Sequence, residues 1–235
     1  MKLDALFFGT HPDDVEITCG GTVILLSRNG KKTGIIDLTK GELSTRGNLK
    51  IRQEETKSAS RILGIKYRSN LGLKDGNIVN NAQSRIKIIK LLRQLKPQII
   101  FAPYPDDRHP DHINSSSLIR ESAFYSGLGK IKTGILNPFR PSRIFYYRHS
   151  HDIPVSFIVD ISSTFELKMK AIKAYKTQFY SPDLKEPETY ISSKLFIENI
   201  ETRAKYFGFK IGVKYGEPFY SIENIKINVE NIFKI

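Results

Sequence analysis

Residues 3–14 read Leu-Asp-Ala-Leu-Phe-Phe-Gly-Thr-His-Pro-Asp-Asp, and their pattern is the first indication of the fold class. The mostly apolar run over residues 3–9 has the length and composition of a buried β-strand. A polar, turn-rich segment follows over residues 10–21. Residues 22–28 then favour a helix, which ends at Asn29-Gly30. A strand, a polar loop and a helix in this order are typical of the first unit of an α/β protein.

Outward from this unit, short apolar runs alternate with amphipathic segments. The helical spacing of apolar residues is clearest over residues 49–63, which end at Gly64, and over residues 85–95, which end before Pro97. This alternation predicts a Rossmann-like α/β fold, in which a mostly parallel sheet carries helices on both faces. Further strands are predicted at 33–38, 69–73, 98–103, 143–147 and 157–161, and further helices at 114–125, 163–178 and 192–207.

The composition limits the classes of protein to which the chain can belong. One cysteine in 235 residues excludes a disulfide scaffold and a cysteine-based zinc finger. No apolar run reaches the roughly 18 residues of a membrane span. We recognise no targeting segment, and we therefore expect a cytoplasmic protein without a membrane partner. No repeat or linker divides the chain, so we expect a single domain over residues 1–235, with a polar loop at 181–189.

The chain is strongly basic, with a formal net charge of +13. Such a charge suits an anionic partner but does not identify one. The basic residues are spread along the chain, and the dense stretch from Arg85 to Lys96 alternates with leucines and isoleucines, as on a solvated helix face. No known nucleic-acid-binding motif is found, so we expect no nucleic acid partner.

Two polar loops, each directly after a predicted buried strand, hold most of the chemistry-bearing side chains. They are His11-Pro12-Asp13-Asp14 and His109-Pro110-Asp111-His112. In an open α/β sheet the carboxyl ends of the strands form one crevice, so the two loops can converge there. His11, Asp14 and His112 would then form a His₂Asp set, which is typical of a catalytic zinc site with an open position. The alternative is that both loops are polar turns without a metal.

The remaining side chains of these loops supply the other groups that amide hydrolysis needs. Zinc lowers the pKa of a bound water to roughly 7, and Asp13 is the candidate general base that takes its proton. His109 is a candidate for stabilising an oxyanion or for protonating the leaving amine, and Asp111 for orienting its ring. The residues alone thus predict metal-assisted hydrolysis of an amide.

Four further features have simpler interpretations. Gly20-Gly21 could suggest a phosphate-binding loop, but the flanking pattern of such a loop is absent. We expect these glycines to let the backbone turn into the helix. Cys19 is either a fourth metal ligand or, as we favour, a small packed residue. His149 and His151 flank Ser150 in a polar stretch, and we interpret both as surface residues.

Two signatures make the sequence similar to a known family. Residues 9–16 (Gly-Thr-His-Pro-Asp-Asp-Val-Glu), followed by Cys-Gly-Gly-Thr at 19–22, closely resemble the first signature of the PIG-L/LmbE-like zinc-dependent deacetylases. Arg-His-Pro-Asp-His at 108–112 resembles the second signature. One branch, the bacillithiol biosynthesis deacetylases that act on N-acetylglucosaminyl malate, is also similar at residues 37–47, 52–55, 70–73, 101–104, 206–208 and 212–219.

The resemblance assigns a role to each residue of the two signatures. It implies that His11, Asp14 and His112 bind one Zn²⁺ per chain, for which Fe²⁺ or Co²⁺ could substitute, and that Asp13 is the general base. It implies that His109 is the electrostatic or acid partner. Asp111 is expected to contact His109 and to orient its ring.

The resemblance also concerns the substrate pocket. It places Arg52 there, whereas the residues alone favour an exposed helix charge paired with Glu54 or Glu55. Some relatives also use a tyrosine of a mobile C-terminal segment, and Tyr190 lies in that region.

The implied reaction is hydrolysis of the N-acetyl group of N-acetyl-α-D-glucosaminyl L-malate to glucosaminyl malate and acetate. The alternatives are another N-acetylglucosamine-containing substrate, such as chitobiose or an inositol conjugate, a bacillithiol-conjugate amidase activity, or a metal-binding relative without catalysis. The resemblance further implies a small-molecule acetylated aminosugar as the partner and a homo-oligomer, either a trimer or a hexamer.

Overall fold

The computed structural model describes residues 1–232, so the last three residues of the predicted domain, 233–235, lie outside the described part. The strands of this part are β1 (Ala5–Gly9), β2 (Thr33–Asp37), β3 (Tyr67–Asn70), β4 (Ile99–Pro103), β5 (Arg143–Tyr147), β6 (Phe157–Asp160) and β7 (Gly216–Tyr220). The helices are α1 (Asp14–Arg28), α2 (Leu49–Leu63), α3 (Ala82–Leu95), α4 (Pro110–Ser126), α5 (Phe165–Lys173), α6 (Lys194–Phe209) and α7 (Val229–Ile232), with a 3₁₀ turn at Tyr190–Ser192.

The strands form one sheet in the order β3-β2-β1-β4-β5-β7-β6. The strands from β3 to β5 are parallel, and β7 runs antiparallel to both of its neighbours. The predicted α/β fold with a mostly parallel sheet is confirmed. The strand order reverses between β1 and β4, and in such sheets ligands bind outside the carboxyl ends of the strands at this switch point.

The core lies on both faces of the sheet because side chains of a strand alternate between its faces. In β1, Leu6 and Phe8 belong to a buried cluster that includes residues of α3 and α4. Phe7 belongs to a second cluster with residues of α1, and its ring stacks on Phe101 of β4 at 4.3 Å between centroids. The prediction of helices on both faces is therefore confirmed.

Helix α2 begins and ends where the sequence predicted. Asn48 accepts a hydrogen bond from the Ile51 N–H and caps the first turn. Gly64 ends the helix in the left-handed conformation with φ 68°, which glycine adopts without steric cost. The other helix with a clear apolar face in the sequence, α3, begins three residues earlier than expected.

Helix α1 differs from the prediction, because it begins at Asp14 instead of Thr22 and has a kink at Cys19. The expected long loop is therefore short, and the two glycines lie inside the helix. Their expected role in a turn is wrong: a Cβ on Gly21 would lie 2.8 Å from the side chain of Ile161, so glycine is needed for close packing. Cys19 is fully buried in the core, as a packed residue.

Near the kink of α1, a side chain of β7 accepts hydrogen bonds from two backbone N–H groups of the helix. The carboxylate of Glu217 accepts hydrogen bonds from the N–H of Gly21 at 3.0 Å and of Thr22 at 2.8 Å. Lys168 of α5 lies 2.7 Å from the same carboxylate, and both side chains are buried. β7 was not predicted, because a buried charge and a proline interrupt its apolar pattern. Within residues 1–232 we find no helix that is long and apolar enough to cross a membrane.

Candidate active site

A cavity of about 310 Å³ opens at the carboxyl ends of β1 and β4. The loop after β1 supplies His11 and Asp13, and α1 begins there with Asp14. The loop after β4 supplies His109, and His112 lies in the first turn of α4 instead of in a loop, because α4 begins at Pro110. Proline is favoured at this first helical position, where its missing N–H costs nothing. The two predicted loops therefore converge on one cavity.

His11, Asp14 and His112 meet around one carboxylate oxygen. Asp14 Oδ2 lies 3.6 Å from His11 Nδ1 and 3.5 Å from His112 Nε2. One ligand atom from each of the three residues lies within 4.8 Å of the others. Two imidazoles and one carboxylate are the donor types that zinc and related divalent ions prefer.

The partners of the two rings show that this set fits a metal. Asp107 lies 3.0 Å from His112 Nδ1, and His112 Nε2 is buried without a hydrogen-bond partner among the described residues. Asp75 lies 2.9 Å from His11 Nε2, so His11 Nδ1 is the nitrogen that faces Asp14. A carboxylate on the outer nitrogen of a histidine is the usual arrangement around a ligating imidazole.

The charges of the cavity favour a cation. Burial lowers the pKa of His11, but the carboxylates of Asp14 and Asp75 raise it to about 10. Burial likewise lowers the pKa of His112, while Asp14 and Asp107 raise it to about 9. A divalent ion would supply the positive charge that these carboxylates stabilise and would leave both rings neutral.

Asp13 and Arg52 form a buried ion pair beside these residues. Arg52 Nη1 lies 2.6 Å from Asp13 Oδ2 and 2.8 Å from the carbonyl oxygen of Pro12, and Nη2 donates to Gln178. Arg52 is thus not the exposed helix charge that the residues alone favoured. Burial raises the pKa of Asp13 to about 7, although Arg52 favours its ionised form. Asp13 also has a φ of 116°, a conformation that costs energy and is concentrated at functional sites.

His109 completes the cavity wall, but its contact with Asp111 differs from the expectation. The main-chain N–H of Asp111 donates to His109 Nδ1 at 3.2 Å. The carboxylate of Asp111 instead accepts from the N–H of Gly76 at 2.7 Å and of Ile78 at 3.3 Å. The backbone of α4 therefore orients the His109 ring, and the Asp111 side chain holds the loop that carries Asp75. Burial and the nearby histidines lower the pKa of His109.

The family model described as PIG-L, GlcNAc-PI de-N-acetylase, matches residues 6–123. The chain belongs to the PIG-L family. This match covers the strands and loops that supply His11, Asp13, Asp14, His109 and His112. The prediction of a PIG-L-family deacetylase, a hydrolase of amide bonds, is confirmed.

Three PIG-L-type relatives illustrate the similarity. A conserved protein from Thermus thermophilus is 37% identical, with a TM-score of 0.88 over 97% of this chain and 98% of that one. The diacetylchitobiose deacetylase of Thermococcus kodakarensis is 28% identical over 93% of this chain and 83% of its own length. A probable N-acetyl-α-D-glucosaminyl L-malate deacetylase of Bacillus anthracis is 26% identical over 72% and 78%. The activity common to these named deacetylases is removal of an acetyl group from an N-acetylglucosamine unit.

Two cavity residues of this PIG-L chain, and a carboxylate that contacts His112, were not predicted from the sequence. Asp75 and His149 follow β3 and β5, so the rule that located the loops after β1 and β4 applies equally to them. Asp107 lies two residues before His109, within the same loop. The interpretation of His149 as a surface residue is wrong, because its side chain is only 14% exposed and lines the cavity. His151 is exposed, as expected.

Tyr190 lies at the cavity mouth, in the 3₁₀ turn before α6. Its ring faces the Arg108 guanidinium at 4.3 Å, and the residue is 60% exposed. The region expected to hold a tyrosine near the site thus supplies one.

Proposed function

We propose that the chain is a metal-dependent deacetylase of an N-acetylglucosamine conjugate, with N-acetyl-α-D-glucosaminyl L-malate as the preferred substrate. The observation that carries the proposal is the grouping of His11, Asp14 and His112 beside Asp13 and His109 in one cavity. A Zn²⁺ ion, or Fe²⁺ or Co²⁺, held by the first three would supply Lewis acidity for the amide carbonyl and for a water.

The side chains then have distinct tasks in the hydrolysis. Asp13 accepts a proton from the attacking water, and a pKa near neutrality suits this task. Arg52 holds the Asp13 carboxylate in place through Nη1, and the Nη2 hydrogen that is not bonded to Gln178 can donate to the sugar. His109, in its protonated form, stabilises the oxygen that becomes negative and gives its proton to the nitrogen as the bond between the acetyl carbon and the nitrogen breaks. Asp13 then releases the proton that it took from the water, and His109 takes up a proton again before the next turnover. The products are acetate and the free amine.

One arginine of the cavity supports a substrate whose aglycone carries a carboxylate. The guanidinium of Arg108 lies over Tyr190 and forms no ion pair with a carboxylate of the part that the structure describes. Arg46, by contrast, is buried and pairs with Glu186 at 3.7 Å. Guanidinium groups recognise carboxylates by charge-assisted hydrogen bonds. The Bacillus anthracis relative supports the same substrate class.

A second candidate substrate is diacetylchitobiose, which the Thermococcus kodakarensis relative favours because its similarity covers 93% of this chain. Acetate release from the malate conjugate, from diacetylchitobiose and from plain N-acetylglucosamine discriminates the candidates, with Asp13→Asn as the inactive control. Fast release from the malate conjugate alone supports the first proposal. Preference for diacetylchitobiose would replace that substrate, and no release from any of the three would overturn the deacetylase proposal.

A further inference from the structure

His149 lies two residues after the end of β5, beside the metal-binding set. The proposed reaction gives it no role. Its Nε2 lies 3.3 Å from Asp14 Oδ1, and its ring centroid lies 4.3 Å from that of His112. This Nε2 is buried and makes no well-formed hydrogen bond to any described residue. A buried polar atom without a partner costs free energy, so the group calls for a physical explanation.

The two oxygens of Asp14 face different neighbours. Oδ2 accepts from the main-chain N–H of His11 at 2.8 Å and faces the metal-ligating nitrogens of His11 and His112. Oδ1 faces His149. A donor on Oδ1 keeps the carboxylate from rotating and leaves Oδ2 as the oxygen aimed at the metal position.

Two contacts from distant parts of the chain hold the backbone of His149. Arg203 of α6 donates from Nη1 to the His149 carbonyl oxygen at 2.9 Å. The N–H of Ser150 donates to Asp107 Oδ2 at 2.9 Å, while Asp107 Oδ1 lies 3.0 Å from His112 Nδ1. The backbone around His149 is thus tied to the same carboxylate that holds the metal ligand His112.

The neighbours of the ring are compatible with a proton on Nε2. Ser150 Oγ lies 3.2 Å from His149 Nδ1 and can donate to it. With the hydroxyl as donor, Nδ1 is the acceptor and the proton resides on Nε2, which faces Asp14. This tautomer is the one that a donor to Asp14 Oδ1 requires.

A second metal site formed by Asp107, His112 and His149 would explain the position of the His149 ring less well. One atom from each of these residues lies within 4.8 Å of the others. Asp107, however, already accepts from the N–H groups of His109 and Ser150 and contacts His112 Nδ1. These bonds leave Asp107 little capacity for a cation.

We propose that His149 is a positioning residue: when the metal site is loaded, its Nε2, which lies 3.3 Å from Asp14 Oδ1, donates to that oxygen and so orients the metal-binding oxygen of Asp14. This inference rests on the metal-dependent site of the proposed function. It predicts that His149 acts on metal affinity and on turnover, with little effect on substrate binding.

The test compares His149→Ala and His149→Gln with His151→Gln, a matched control. His151 is an exposed histidine two residues away, 3.4 Å from the exposed Asp106. The measurements are Zn²⁺ affinity by competition with a chromophoric chelator, the visible spectrum of the Co²⁺ form, and kcat and KM for acetate release. We expect His149→Ala to lose roughly 10- to 100-fold in Zn²⁺ affinity. It should lower kcat more than it raises KM.

His149→Gln should recover most of this loss, because its amide nitrogen can donate in place of Nε2, and His151→Gln should match the unchanged protein. The Co²⁺ spectrum of His149→Ala should keep its band positions and intensity. Unchanged Zn²⁺ affinity in both His149 variants would overturn the proposal. A Co²⁺ spectrum that shows the loss of a nitrogen ligand would also overturn it, in favour of direct ligation. Metal binding without acetate release in the unchanged protein would contradict the proposed function but leave the affinity comparison valid.

Discussion

Residues 1–126 form a first segment and residues 127–232 a second segment, and the two contribute to the same cavity in different ways. In the first, short loops after parallel strands present His11, Asp13 and His109 directly at the sheet edge. In the second, Gln178, which follows α5, and His149, which follows β5, reach groups of the first segment. From this comparison we propose that the first segment holds the reactive groups, and that the second helps to hold them in position.

The largest effect that this division predicts is on the chemistry of the first segment. Asp13→Asn keeps the size of the side chain but removes the proton acceptor, so we expect kcat for acetate release to fall roughly 10²- to 10⁴-fold. This corresponds to about 3–5 kcal/mol in activation free energy. Steady-state kinetics with the best of the three proposed substrates measure the loss.

The control for this variant is Asp106→Asn, which changes an exposed carboxylate of the loop after β4. The control should keep full turnover, and both variants should bind Zn²⁺. An Asp13→Asn protein that retains most of its turnover would exclude Asp13 as the general base and would move the reactive group elsewhere in the cavity.

The next effect belongs to the second segment and concerns stability. Glu217→Gln removes the charge that faces buried Lys168 and weakens the cap on the Gly21 and Thr22 N–H groups. An uncompensated buried charge typically costs about 3–5 kcal/mol, and we expect the free energy of unfolding to fall by about 3 kcal/mol. Urea unfolding measures this change, while turnover per folded molecule should stay unchanged.

Glu198→Gln is the matched control, because Glu198 pairs with Lys194 at 3.8 Å on the exposed face of α6. A surface pair of this kind contributes about 1 kcal/mol or less. If Glu217→Gln instead lost turnover without losing stability, the second segment would take part in the reaction, and the division between the segments would not hold.

The parts of the molecule that the sequence could predict depend on local signals or on the topology of the sheet. Helix α2 was predicted from end to end because its apolar spacing and its stop at Gly64 are local. The convergence of the His11 and His112 loops followed from the topology of a parallel sheet alone.

The parts that were not predicted depend on partners far along the chain. The beginning of α1 was hidden because its first turns carry polar residues, and Glu16 and Asp14 are buried only because Arg68 and the histidines face them. Arg52 could be interpreted as an exposed charge because Asp13 and Gln178 are distant in sequence. Long-range pairing of buried polar groups leaves no periodic pattern.

A smaller effect is expected at Gln178, where the second segment reaches the ion pair of the first. Its Oε1 accepts from Arg52 Nη2 at 2.9 Å, and Gln178→Ala leaves this buried donor without that partner. We expect KM to rise about 5- to 10-fold, which corresponds to about 1 kcal/mol, with a smaller change in kcat. Gln53→Ala, on the exposed side of α2, should leave both constants unchanged. A fall in kcat comparable to that of Asp13→Asn would place Gln178 among the reactive groups.

The smallest effects are expected from two helix caps of the first segment. One cap stabilises only the fold, and the other also stabilises a helix that contributes to the site. Asn81 and Asn48 each accept from a main-chain N–H of the helix that they cap, α3 and α2 respectively. Replacing either by alanine should lower the free energy of unfolding by about 1 kcal/mol in urea titrations. Asn48→Ala should also raise KM, because α2 carries Arg52 in its first turns, whereas Asn81→Ala should leave KM unchanged because α3 contributes no side chain to the cavity. Equal KM values in the two variants would mean that the Asp13 carboxylate and Gln178 hold Arg52 in place without help from the helix end.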